Sequence, residues 1–300
     1  MKRIRSIWIV ALLLSIHFSC IKEDRDLSDC EPVVSSDDYR KIILEFDWSL
    51  VQSTNRTDEI VEVIITDEED HSTEMYVERE GSEIELKPNV YEFVGDESHE
   101  NVVLQRCTVT VRTDANGNYL EPAYFTGGSV EEEVNSTDSI QIITIPMRQQ
   151  TRELIIRVII YGELLPYISG LDAVISGISM SREINDGFPP VDDVIRPPAY
   201  ITSTVDYSFT QTEPSLFTDR HTLLGIDGNA SQVLTFTLYY NNGNDDRTIA
   251  IDVTSEMDGF HTEDIFEPWV LEFEIGMGPE SFEASIENWR SGPESILIAH

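Results

Sequence analysis

From Lys41 onward the chain is a succession of short runs in which apolar and polar residues alternate, each run broken by turn residues. A period of two sends successive side chains to opposite faces of a strand, one for a core and one for water. KIILEFDWSL (Lys41–Leu50) sets Ile42, Leu44, Phe46 and Trp48 against Ile43, Glu45, Asp47 and Ser49. EIVEVIITDEED, STEMYVEREG, SEIELKPNVYEFVG, NVVLQRCTVTVRT and SIQIITIPM follow, divided by Gly81-Ser82, Lys87-Pro88-Asn89 and Asp114–Asn118. Asn116-Gly117 marks a hairpin, because both residues accept positive φ. After the short polar stretch Pro146–Thr151, LIIRVIIYG (Leu154–Gly162) opens a second set. It continues through AVISGISMSREI, PPAYITSTVDYSF, RHTLLGI, SQVLTFTLYYNN, RTIAIDVTSEM, EPWVLEFEI and SFEASIENW, with a second hairpin signal at Asn241–Asp246. Only ELLPYISGL (Glu163–Leu171) offers a helical turn or two. Short strands at a spacing of roughly 10–15 residues predict all-β sandwiches. The absence of strand–helix alternation argues against a parallel α/β sheet.

The N-terminus has a different pattern. Lys2, Arg3 and Arg5 precede an apolar run, Ile7–Ile16, that is too short for a membrane-spanning helix and fits a secretory signal. The run ends at CIKEDRD, Cys20–Asp26. The residues around Cys20 resemble a bacterial lipobox, loosened as in Bacteroides-type bacteria, which makes Cys20 the acylated N-terminus of the mature chain. An ordinary signal peptide followed by a structural cysteine is the alternative. Several acyl chains on one residue give stable anchoring where one is marginal. Lys22-Glu23-Asp24 resembles the surface-export signal of lipoproteins from the same bacteria. As a bland alternative, Glu23–Asp26 is a solvated linker. Residues 1–19 are thus read as signal peptide and 20–39 as a lipidated tether, with a location on the outer face of the outer membrane.

Charge narrows the partners. The 300 residues carry 20 Lys and Arg against 56 Asp and Glu, a net −36 that becomes −39 once the three basic residues of the signal are removed. Such an excess repels nucleic acid and anionic surfaces. It does not imply disorder, because 40% of residues are hydrophobic and the charges are interspersed with strand patterns. About 280 mature residues suit two domains of ordinary size, with boundaries expected at 40–147 and 148–300. With Cys20 acylated, Cys30 and Cys107 remain as a candidate disulfide in an oxidising compartment.

Little in the sequence carries catalytic or metal chemistry. His17, His71, His99, His221, His261 and His300 sit in polar, turn-like contexts without a second histidine at ligand spacing, and surface or structural roles are expected for those that survive signal removal. TDANGNYLE (Thr113–Glu121) partly resembles a calcium loop but lacks the glycine at its sixth position and has Phe125 at its twelfth, so a hairpin is the better reading. Glu131-Glu132-Glu133 is read as a solvated face rather than a glycosidase pair. Tyr239, Tyr240 and Trp269 could stack on sugars, but strand aromatics usually belong to cores. No motif calls for a cofactor or a metal. The C-terminal SGPESILIAH ends in an apolar run, Ile296-Leu297-Ile298, that is either a final strand of its own sheet or a donor strand for another molecule.

CIKEDRDLSDC, LEFDWS, TRELIIRVIIYGELLPYISGLDAVISGISMSREI and the closing ASIENW, taken together, resemble the FimB-like, fimbrillin-type lipoproteins of Bacteroides-type bacteria. LEFDWS is also similar to a related family of uncharacterised lipoproteins from these organisms. The resemblance implies two tandem transthyretin-like (Greek-key) β-sandwich domains and a non-catalytic fimbrial anchor or accessory subunit assembling by β-strand complementation. Its implied partners are fimbrial stalk subunits, the outer membrane through the acyl chains, and host or glycan ligands. In this pilus type, stalk subunits lose their first strand to a protease that cuts after arginine, and the groove takes a strand from the next subunit. Anchors keep that strand, here Ile42–Trp48, so Arg148 and Arg152 between the halves stay uncut. Asp138-Ser139-Ile140 resembles the O-glycosylation acceptor of these bacteria, which makes Ser139 a candidate. The alternative function is a carbohydrate-binding surface lipoprotein of a glycan-uptake system.

Overall fold

The alternating runs become strands. The computed structural model describes residues 39–52, 60–97, 100–136, 140–162, 164–188, 201–241, 243, 245–263, 265–277 and 284–293. The first half supplies β1 (Arg40–Leu50), β2 (Ile60–Asp67), β3 (Ser72–Glu78), β4 (Ser82–Leu86) and β5 (Val90–Glu97). It continues with β6 (Val102–Gln105), β7 (Thr108–Val111), β8 (Thr126–Glu133) and β9 (Ile140–Gln149). Seven of these form one sheet in the order β3-β2-β5-β8-β9-β1-β4. β3 and β4 stand at opposite ends of that order, yet only Arg79, Glu80 and Gly81 join them. The two ends must therefore meet, and the sheet folds over on itself. Ile42 and Leu44 of β1, Val61, Val63 and Ile65 of β2, Phe93 of β5, and Ile143, Ile145 and Met147 of β9 pack in its interior. The corner is at β8 and β9, which pair only through Thr126↔Gln149 and Gly127↔Arg148.

The second half supplies β10 (Arg152–Ile160), β11 (Ile168–Glu183), β12 (Ile201–Ser208), β13 (Thr210–Gln211) and β14 (Leu216–Leu223), then β15 (Val233–Tyr240), β16 (Arg247–Asp252), β17 (Trp269–Met277) and β18 (Ala284–Pro293). A five-stranded sheet, β13-β14-β10-β17-β18, faces a six-stranded one, β16-β15-β11-β7-β6, with β12 beside β11. Leu154, Ile156, Val158 and Ile160, every second residue of β10, share a core with Leu234, Phe236 and Leu238 of β15 and Leu271, Phe273 and Ile275 of β17. Phe236 and Phe273 meet edge to face at 5.1 Å. Each such side chain stabilises the fold by about 1.5–3 kcal/mol through burial.

The six-stranded sheet takes strands from both halves, because β11 is sixteen residues long. Its first part, Ile168–Ile175, pairs with β15, and its last residues, Ser181–Glu183, pair with β7. Between them Gly177 adopts φ +73°, where a Cβ would stand 2.7 Å from Ser231 O; this bulge lets the strand change partners. Val94, Val109, Val111 and Phe125 from the first half then pack with Met180, Ile184 and Leu224 from the second.

Three local expectations change. Asn101–Thr113, read as one strand, is the β6–β7 hairpin, turned at Arg106 with φ 55°. RTIAIDVTSEM is a strand only to Asp252; Ser255–His261 is 3-10 helix, with Met257 and Phe260 buried three residues apart. The Glu163–Leu171 segment holds helix only at Leu165–Tyr167, and β11 already begins at Ile168.

Candidate functional site

The strand with the most distinctive surroundings is β1. It lies inside its sheet, parallel to β9 from Lys41↔Ile140 to Asp47↔Pro146 and antiparallel to β4 from Arg40↔Leu86 to Leu44↔Ser82. Ile42 and Leu44 are 0% exposed, and Phe46 and Trp48 pack half-buried on the same core. Lys41, Glu45 and Asp47 face water. Lys41 holds Glu83 of β4 at 2.6 Å, a surface pair worth little by itself. Without β1, β4 and β9 would each present an open edge beside an apolar trough, which is a receptor for a strand. In this chain the trough is filled by its own first strand. The β3–β4 turn crosses that strand: Gly81 has φ +104°, and a Cβ there would lie 2.3 Å from Leu44 O.

The junction between the halves is buried and polar. Gln149, Gln150, Thr151 and Arg152 are all under 5% exposed. Gln150 Nε2 donates to Gly127 O at 2.9 Å and Ile184 O at 2.6 Å, and Phe125 N donates to Thr151 Oγ1 at 3.1 Å. The Arg152 guanidinium donates to Glu267 O at 2.8 Å and to Phe260 O, and lies against the rings of both Phe260 and Trp269 at 5.5 and 5.2 Å. Arg182 donates to Gln150 O and stacks on Phe188 at 5.1 Å. A protease needs several residues of accessible, extended chain, and the segment after Arg148 and around Arg152 does not offer them.

The residues singled out in the sequence are distributed unevenly. Cys20, Lys22, Glu23, Asp24, Cys30, Ser139, Ile296, Leu297 and Ile298 lie outside the described residues. Cys107 is half-buried in the β6–β7 turn, where its Sγ donates to Glu92 Oε1 at 2.9 Å. Burial, and then the Glu92 carboxylate, push its thiol up to about 12. β18 ends with Pro293 opposite Trp269, at the junction end of the second sandwich. Asp114 spends its carboxylate on Asn116 N, Asn118 N and Asn118 Nδ2 within its own turn, at 2.7–2.9 Å, which is the hairpin reading. Glu131–Glu133 are exposed. Trp269 is core, and Tyr240 packs on that core. Among the described residues, no group of three His, Cys, Asp or Glu is placed to hold a metal.

His221 has a role that sequence reasoning did not assign. Its Nδ1 meets Glu121 Oε2 at 2.9 Å, its Nε2 lies 3.5 Å from Asp219 Oδ2, and Tyr207 abuts its ring edge to face at 4.6 Å. Glu121 also accepts from Thr222 N at 2.8 Å, so this carboxylate of the first half grips β14 of the second. Burial lowers the His221 pKa, but the Glu121 hydrogen bond and charge outweigh it and the net shift is upward. Burial raises Glu121, and the His221 and Thr222 hydrogen bonds bring it below its ordinary value. One hundred residues separate the pair, and no local pattern announces it. His261 is fully buried, stacked on Phe188 at 4.9 Å, with its Nε2 accepting from Ile226 N at 3.2 Å.

No family model matches the sequence, and no curated protein matches it significantly. Solved structures share the fold. A proposed adhesin from Bacteroides ovatus matches with TM-score 0.58 and 15% identity over 86% of this chain and 94% of that one. The fimbrial anchor protein Mfa2 from Porphyromonas gingivalis matches with TM-score 0.58 and 9% identity over 85% and 98%. A proposed polysaccharide-binding protein from Bacteroides thetaiotaomicron matches with TM-score 0.55 and 10% identity over 85% and 98%. At these identities the likeness is one of fold, and it extends over nearly the whole of each neighbour.

Proposed function

We propose that the chain is a non-catalytic surface lipoprotein that anchors or joins a fimbria, held to the outer membrane by acyl chains on Cys20. The observation that carries the reading is the groove filled by β1: a stalk subunit must vacate that groove to receive its neighbour's strand, and an anchor need not. Neighbours of the same fold, named as a fimbrial anchor and as adhesins, support it. Assembly would then use strand addition elsewhere, with the apolar tail Ile296–Ile298 as the donor segment.

The test has two stages. Intact cells are labelled with a palmitate analogue and treated with protease, comparing wild type with Cys20→Ala. Labelled, protease-sensitive wild type and unlabelled, released variant are expected. Purified mature protein is then used to capture fimbrial subunits from the same cells. An unlabelled or shielded wild type removes the anchor, and failure to retain any fimbrial subunit removes the fimbrial role. In the second reading, carbohydrate binding, two of the three candidate aromatics are committed elsewhere: Trp269 lies against Arg152 and Tyr240 is packed on the core, while Tyr239 bonds Asp172 outside it. Retention on a polysaccharide gel without capture of fimbrial subunits would favour that reading.

A further inference from the structure

We infer that Arg79 is a positioning residue that locks the first strand into its groove, an inference that rests on the self-filled groove of the proposed anchor. Arg79 opens the three-residue turn that closes the first sandwich between β3 and β4. From there it reaches two other strands at once. Its guanidinium lies over the Trp48 ring of β1, 4.8 Å from the centroid. It also donates to Glu97 Oε1 at the end of β5, a carboxylate whose side chain is only 5% exposed. The other oxygen of Glu97 accepts from Thr126 Oγ1 of β8 at 2.9 Å. β1, the closing turn, β5 and β8 thus meet in one cluster.

The order of these contacts explains why the device acts on β1. Ile42 and Leu44 are buried, which excludes a one-residue slip but leaves a two-residue slip that returns the same side of the strand to the trough. Trp48 stands near the junction end of the strand, beyond Leu44, the last residue paired with β4, and in the irregular stretch between the Asp47 and Leu50 pairs with β9. A guanidinium on the ring face adds an attraction there that depends on Trp48 being in place. The same guanidinium neutralises a buried carboxylate, so strand departure uncovers Arg79 and weakens the pairing of Glu97. Gly81, pressed against Leu44 O, brings the turn close enough for this reach.

The experiment uses the mature chain with a protease site introduced between Gln52 and Ile60, so that β1 is cut from the rest but left in place. A fluorescent peptide of residues 39–52 is added, and exchange into the nicked protein is followed by anisotropy. Nicked wild type is expected to exchange slowly, and Arg79→Gln about a hundredfold faster. Arg79→Lys keeps the charge but not the planar stack and should fall between them, and Trp48→Phe provides a second route if Arg79→Gln fails to fold. The exposed pair Arg220–Glu153 serves as a control, since Arg220→Gln should leave exchange unchanged. Equal slow exchange in wild type, Arg79→Gln and Trp48→Phe would overturn the lock while leaving the self-filled groove standing. Immediate loss of the strand from nicked wild type would overturn both.

Discussion

Arg152→Met tests whether the junction is as tightly built as its contacts imply. The substitution keeps much of the side-chain volume and removes the charge. It takes donors from Phe260 O and Glu267 O, at a residue 2% exposed, and it removes a cation held against the rings of Phe260 and Trp269. A hydrogen bond from a charged group contributes about 1.5–3 kcal/mol, and a desolvated cation–π contact contributes about 2 kcal/mol. Part of this returns, because burying a guanidinium is itself costly and methionine packs well against rings. The balance is a loss of about 3 kcal/mol, which lowers Tm by roughly 6–12 °C for a chain of this size. Trp269 is the natural reporter in urea unfolding. Arg152→Lys, which keeps charge but not the planar fork, should lose nearly as much. A loss below about 1 kcal/mol, or native-state cleavage after Arg152 by an arginine-specific protease, would refute the reasoning.

Other outcomes follow from the same contacts. Leu44→Ala should cost about 2–5 kcal/mol in urea unfolding, because it opens a cavity under β1, whereas Ile142→Ala, at 58% exposure, should stay within about 0.5 kcal/mol. His221→Gln should lower Tm most near pH 6 and least above pH 9. The raised His221 contributes stability that is complete below the unfolded histidine pKa and is lost as pH rises through its folded value, and the lowered Glu121 contributes above the unfolded carboxylate pKa and loses it on acidification. Thermal melts across pH 5–9 would check this, and a pH-independent loss would contradict it. Cys107, with its thiol near 12, should react with iodoacetamide at pH 8 far more slowly in the native chain than in urea. If it pairs with Cys30, the same experiment finds the Cys30–Cys107 cross-link by mass instead.

The strand pattern was readable wherever one face of a strand meets water. β1, β2 and β15 alternate as they pack, because their burial follows the pleat, whereas β10 is buried on both faces at Ile155. The β6–β7 hairpin was hidden because Arg106 takes the left-handed turn position that glycine or asparagine normally signals. The Ser255–His261 helix was hidden because Met257 and Phe260 repeat over one turn only, too short a stretch for a helical period to stand out. Least visible was the way β11 joins strands of both halves in one sheet, since a strand that changes partners at a bulge has the same local composition as one that does not. The filled groove was anticipated from LEFDWS and the resemblance, whereas Arg79, Glu97 and Thr126 come together only through the closure of the sheet.

The direction of β1 has a mechanical consequence. Arg40 lies at the Ile140 end of β9, and Leu50 lies opposite Arg148, next to the junction. The two ends of the strand are roughly 30 Å apart. A pull on Tyr39, resisted by a load attached beyond the junction, therefore runs along the strand axis. Such a pull strains the bonds to β4 and β9 together, in shear, where a pull across the strand would peel them one after another. Forced extraction is governed by the height of its barrier, and a ladder that must fail all at once raises it. The first strand is thus oriented to bear tension between its leading end and the rest of the molecule.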